Sequence, residues 1–250
     1  MAVMDEFKEE RDALKKGSFK QKISYFWTYY KWYVVITLAV IAFIISFVYE
    51  LMNRKDDAFY GVFLNSVAMD GSADFIQGFA DKLEIDTEEY NVSIDSSLYL
   101  DRDSIDENTI ASTQKLAVYI ASAQIDVIAS DADSLTQQAY NETLYNLYDI
   151  LSEEQIAEYE PYFYYIDRKV VEDKNENAYT DDYELVYPDP SRPEDMADPI
   201  PVGIYIDAAT GLSGAYSFRD ETIVIGIVIN TTRPEESVSF IEYIFDIQNQ

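Results

Sequence analysis

Short hydrogen-bonding side chains recur where apolar, β-branched runs end. Asn65-Ser66 follows FYGVFL, and Ser96-Ser97 breaks the alternation of Val92 and Ile94. Ser130-Asp131 follows IDVIA, and Asn230-Thr231 follows IVIGIVI. If those runs are strands of an open α/β sheet, ligands bind beyond their carboxyl ends, at a switch in topology. Asn65, Ser66, Ser96, Ser97, Ser130, Asp131 and Asn230 are therefore candidates to grip a small polar ligand, helped by amides at helix N-termini. The same residue types cap helices and build turns, and that role competes at every pair.

A second set has the spacing of a metal loop. Asp173, Asn175, Asn177, Asp181 and Glu184 stand at positions one, three, five, nine and twelve of a stretch whose seventh residue, Tyr179, offers a carbonyl. That is the oxygen-ligand spacing of an EF-hand calcium loop, and calcium is the one metal this pattern implies. Position six is Ala178, where the sharp turn favours glycine. An acidic surface loop accounts for the same residues. The pairs Asp101/Asp103 and Asp131/Asp133 do not continue such a pattern.

What is missing limits the chemistry. The chain has no histidine and no cysteine. Ser-His-Asp and Cys-His catalysis, histidine metal sites and disulfides are thereby excluded. No enzyme activity and no organic cofactor are expected. The formal charge of −29 repels phosphates, so nucleic acid is not an expected partner.

The elements that must position these residues follow from periodicity. Strands are expected at Phe59–Leu64, Tyr90–Leu100 (with a bulge or a stop at the serines), Ile125–Ala129, Tyr162–Val171, Val202–Ile206 and Ile223–Ile229. Helical spacing appears over Ser72–Leu83 and Glu107–Ala123, and Ala132–Tyr148 reads as helical or irregular. A short helix opens at Ser152, where Gln155 completes a capping signal, and another opens at Pro234. Residues 172–199 are polar and carry Pro188, Pro190, Pro193 and Pro199, so they read as a surface excursion. Strands alternating with helices predict an α/β domain with a mostly parallel sheet over residues 59–250.

Ahead of that domain, Trp32 to Tyr49 has no charged residue and spans about 27 Å as a helix, close to a bilayer core. Aromatic residues from Tyr25 to Tyr33 flank one end and Tyr49 the other. Lys8, Arg11, Lys15, Lys16, Lys20, Lys22 and Lys31 precede the span, which predicts a cytoplasmic N-terminus. The expected order is a cytoplasmic tail (1–31), holding a short charged helix at 5–16, one transmembrane helix (32–52), a juxtamembrane linker (53–58) and an extracellular domain. A cleaved signal peptide fits poorly, since no small-residue cleavage site follows.

The pieces IDVIASDADSL, LYNLYDILSEEQIAEY and TIVIGIVINTTRPEESVSFIEYIF resemble, in their order of element types, extracellular solute-binding proteins with the type 2 periplasmic-binding fold. The FWTYYKWYVV segment before the span and YGVFLN after it look like membrane-anchored proteins of Gram-positive bacteria. The resemblance implies a tethered extracellular binding module that holds a small polar ligand and passes it to, or reports it to, a membrane-protein partner. The acidity implies neutral or cationic ligands over anions. Two other readings stay open: a structural or interaction protein of the cell envelope with a degenerate cleft, and a carboxylate-dependent hydrolase.

Overall fold

The computed structural model describes residues 18–101, 106–177, 185–207, 212 and 214–248. The charged stretch at 5–16 lies outside them. The chain divides into two compact units, Met1–Arg54 and Lys55–Gln250.

In the first unit, α1 (Phe19–Met52) is a single helix, and its Tyr30–Met52 stretch is long and apolar enough to cross a membrane. None of the most apolar window is buried within the protein. Phe26 stacks on Tyr30, and Tyr30 meets Tyr33, which lines aromatic rings along one side near the N-terminal end of the apolar stretch.

The second unit is built on a six-stranded sheet in the order β3-β1-β4-β8-β6-β5. These strands are β1 (Asp56–Phe63), β3 (Tyr90–Asp95), β4 (Val127–Ser130), β5 (Phe163–Asp167), β6 (Pro199–Asp207) and β8 (Thr222–Ile227). A small second sheet pairs β2 (Ser66–Ala68) with β7 (Tyr216–Phe218). The helices are α2 (Ser72–Lys82), α3 (Glu107–Ala121), α4 (Ala132–Tyr140), α5 (Glu153–Tyr159), α6 (Arg168–Glu176) and α7 (Pro234–Gln248).

Alternation along the strands sends side chains to two cores. From β1, Phe59 and Phe63 join Val127, Ala129, Ile223 and Ile225 on one face, under Phe75 and Phe79 of α2 and Phe240 and Ile244 of α7. Val62 and Leu64 join Ile128 and Val224 on the other, under Leu116 of α3 and Leu135 of α4. Strands covered on both faces read as continuous apolar runs, which is why FYGVF and TIVIGI are so uniform.

The sheet is mixed, which corrects the mostly parallel expectation. β1 pairs in parallel with β3 and β4, but the β4–β8, β8–β6 and β6–β5 pairs are antiparallel. Only the β1-α2-β3-α3-β4 half has the crossover helices that parallel neighbours require. Boundaries also move. β1 starts at Asp56, inside the segment expected as linker. The run expected as one strand from Tyr162 to Val171 turns at Asp167, whose side chain caps α6 by accepting from the Lys169 amide at 3.0 Å. The excursion from residue 172 therefore begins as helix.

Candidate functional site

The parallel half of the sheet creates a crevice. The chain leaves β1 toward β3 on one side and leaves β4 toward the opposite edge. Between such diverging connections, the carboxyl ends of neighbouring strands face an opening. A cleft of about 550 Å³ lies there, lined by Asn65 after β1, Tyr99 to Asp101 after β3, Asp131, Asp133 and Ser134 at the start of α4, and Arg219 with Asp220 between β7 and β8.

Its floor is held by one tightly bonded group. Asn65 has φ 55, a left-handed conformation that Asn tolerates better than most residues. Its amide nitrogen donates to the Leu100 carbonyl at 3.1 Å, to Ser134 Oγ at 3.0 Å and to Asp131 Oδ2 at 3.3 Å. Its amide oxygen accepts from the Leu100 N–H at 2.7 Å. Asp131 caps α4, accepting from the Ser134 amide at 2.8 Å, and Ser130 Oγ donates to its other oxygen at 3.2 Å. Burial pushes the Asp131 carboxyl up, but the bonds from Ser134, Asn65 and Ser130 outweigh it and hold the pKa below its ordinary value. A carboxylate results. Among the described residues the walls add Asp101, Asp133 and Asp220 and the guanidinium of Arg219, and the Tyr99 ring stands half exposed at the rim. This lining favours hydrogen-bonding ligands of neutral or positive charge and offers an aromatic face for stacking or cation–π contact.

The strand-end residues meet different fates. Asn65 and Asp131 come together at the cleft, and Ser130, fully buried, supports Asp131 without lining the opening. Ser66 is buried, and its hydroxyl donates to the Phe63 carbonyl at 2.8 Å as a turn former. Ser97 belongs to a neighbouring polar cluster: Lys115 Nζ donates to Asp95 at 2.8 Å and to Ser97 Oγ at 3.2 Å, and lies 5.3 Å from the Tyr119 ring centre. Ser96 precedes the cleft wall without lining the opening. Asn230 lies at the opposite end of the sheet, because β8 runs antiparallel to β4; its side chain donates to the Ile120 carbonyl at 2.6 Å. It does not join the site.

The calcium spacing is not realised as a loop where it is described. Asp173 and Asn175 lie on α6. Residues two apart on a helix point about 200° apart, so these two oxygens do not converge. Asn177 ends the helix and donates back to the Asp173 carbonyl at 2.9 Å. Asp181 and Glu184 lie outside the described residues. Among the described residues, no group of three or more acidic side chains is placed to hold a metal ion.

Tyr99, Ser134, Arg219 and Asp220 were not singled out by the sequence. Asp101 and Asp133 were visible only as members of acidic pairs. No family model, curated protein or solved structure matches the chain.

Proposed function

We propose that the chain is a single-pass, membrane-anchored extracellular binding module of solute-binding type, holding a small polar ligand of neutral or positive charge. The observation that carries this reading is the acidic cleft at the topological switch point between β1 and β4, lined by Asn65, Asp131, Asp133 and Tyr99. The anchor rests on the apolar stretch of α1, and the orientation on the basic residues that precede it. The charge of −29 works in the same direction as the cleft, drawing cations and turning anions away.

The test is thermal unfolding of the full chain in detergent against sugars, amino acids, short peptides and calcium. A ligand that binds the folded state raises the midpoint. The expected shift comes with one neutral or cationic organic class and is lost in Asp133→Asn, an exposed position on the wall. A shift with anions alone overturns the charge assignment. No shift at millimolar concentration removes the binding function.

One observation favours a second reading, an interaction protein of the cell envelope. Asn65 and Asp131 spend their hydrogen-bonding capacity largely within the protein, as they would in a cleft kept for structure. A flat ligand panel would leave that reading in place.

A further inference from the structure

The sheet has two edges, and they are treated differently. At the β5 edge, the Tyr165 amide donates to the Pro190 carbonyl at 3.0 Å, so the segment bearing Pro188 and Pro190 lies along the strand. Covering segments and prolines are the usual defences of a sheet edge. β3, at the other edge, has one neighbour among the described residues, β1. Its sequence, YNVSID, has no proline and no lysine. Beyond its ladder with β1, the one backbone bond to β3 among the described residues is local, the Tyr90 amide donating to the Asp86 carbonyl at 2.8 Å. The alternate N–H and C=O groups that point away from β1 are thus open to another strand among the described residues.

The surroundings say what strand fits. Asp86, Glu88 and Glu89 stand exposed at the entry to β3, and Asp57 lies beside Asn91, which donates to it at 2.7 Å. Of the nearby basic groups, Lys82 and Lys115 are paired with Asp246 and Asp95, and Lys55, which donates to the Thr87 carbonyl, leaves the carboxylates of Asp86, Glu88 and Glu89 in excess. A second copy carries the same formal charge of −29, which opposes self-association. A cationic strand is complementary.

We propose that the open edge of β3 is a docking site for an extended, lysine- or arginine-bearing segment of a partner protein, which adds a seventh strand to the sheet. Main-chain hydrogen bonds supply the grip, and the flanking carboxylates select the charge. This site lies on the edge strand and does not depend on the cleft being occupied.

The experiment uses the full chain in lipid nanodiscs and three labelled heptapeptides: alternating lysine and valine, the same pattern with glutamate, and the lysine pattern with prolines at alternate positions. Fluorescence anisotropy reads binding, and amide hydrogen exchange reads where it occurs. The lysine peptide is expected to bind, to slow exchange at least tenfold at alternate amides of Tyr90–Asp95, and to lose at least tenfold in affinity with Asn91→Lys or Ser93→Lys. Exchange on the unmodified chain keeps the test decisive even where a variant folds poorly. Equal binding of the proline peptide would show charge attraction without strand addition and overturn the proposal. Equal binding of the glutamate peptide overturns the charge selection. Protection elsewhere, no binding, or protection of β3 that rises with protein concentration without peptide would each overturn the partner assignment.

Discussion

Asp126 is fully buried, and what surrounds it fixes the end of the sheet away from the cleft. Arg233 Nε donates to both of its carboxylate oxygens, at 3.1 and 2.9 Å, and the Tyr60 amide and Thr231 hydroxyl complete the shell. Arg233 also reaches the carbonyls of Asp57 and Gln124, tying β1, the lead-in to β4 and the start of α7 together. Burial pushes the Asp126 carboxyl up, against the bonds from Thr231, Tyr60 and Arg233. Removing one partner of such a pair leaves an uncompensated buried charge. Arg233→Ala is expected to lower stability by about 3–5 kcal/mol in denaturant unfolding. Asp126→Leu combined with Arg233→Met should recover much of that loss; a double variant as weak as the single one would contradict the account. Asp167 gives a pH signature instead. Its carboxylate accepts from the amides of Ala197, Asp198 and Lys169, stapling the end of β5 to the segment before β6. Burial raises its pKa, but those amides outweigh burial and leave it below the ordinary carboxylate value of 3.8. A folded pKa below the unfolded one stabilises above the unfolded value, and that contribution fades as pH falls through the folded value. The midpoint difference between the natural chain and Asp167→Asn should therefore be full near neutrality and close only below pH 3.8. A gap independent of pH would sink it. At this scale the sequence was legible where a residue's role is local: Asn65 and Asp131 sit at strand ends whatever the sheet does. Asn230 has the same signature, and only the direction of β8, set by its distant pairing with β4, removes it from the site.

Between β1 and the helices above it, ring packing carries much of the order. Phe240 of α7 is fully buried, with ring centres 4.6 Å from Phe59 and 4.9 Å from Phe79. Phe240 thus joins the last helix to the first strand and to α2, across most of the chain's length. Phe240→Ala should cost about 3–5 kcal/mol, seen as a lowered unfolding midpoint, while Phe240→Leu retains most of the contact area and costs less. Comparable losses in the two would mean the rings are not packed as described. The periodicity that announced α7 (Ile241, Ile244, Phe245) was plain because the helix has one buried stripe and a proline at its start. α6 was hidden for the opposite reason. Val170-Val171 continues a β-branched run, and only the cap by Asp167, set by tertiary bonds to Ala197 and Asp198, ends the strand. Propensity alone does not see that cap. The small β2–β7 sheet was equally invisible, since three-residue strands carry almost no periodic signal. It matters because Arg219 and Asp220, the far wall of the cleft, follow β7 directly.

Whole-molecule organisation was the most legible level at the N-terminus, where the uncharged stretch and its flanks stand out from an acidic chain, and the least legible in the sheet order, which depends on pairings between distant strands. The division after Arg54 makes a prediction about where folding independence begins. β1 is paired from its first residue: Asp56 faces Tyr90, Asp57 faces Asn91, and the Asp57 carbonyl accepts from Arg233 at 3.1 Å. These contacts lie within the second unit and precede the apolar core residue Phe59. A chain cut to begin at Lys55 keeps them all; one cut to begin at Phe59 loses the first rungs of the β1–β3 ladder and a partner of Arg233. The first is expected to unfold as a single cooperative transition, read by circular dichroism. The second should unfold at a lower midpoint, by about 1–3 kcal/mol for an unmet buried donor and frayed pairing. If the two behave alike, the strand's first residues contribute nothing, and the linker expected from the sequence ends at residue 58, where that reading placed its end. If the Lys55 chain fails to fold while the full chain does, the second unit depends on the anchor, and the boundary after Arg54 separates compact pieces without marking an independent domain.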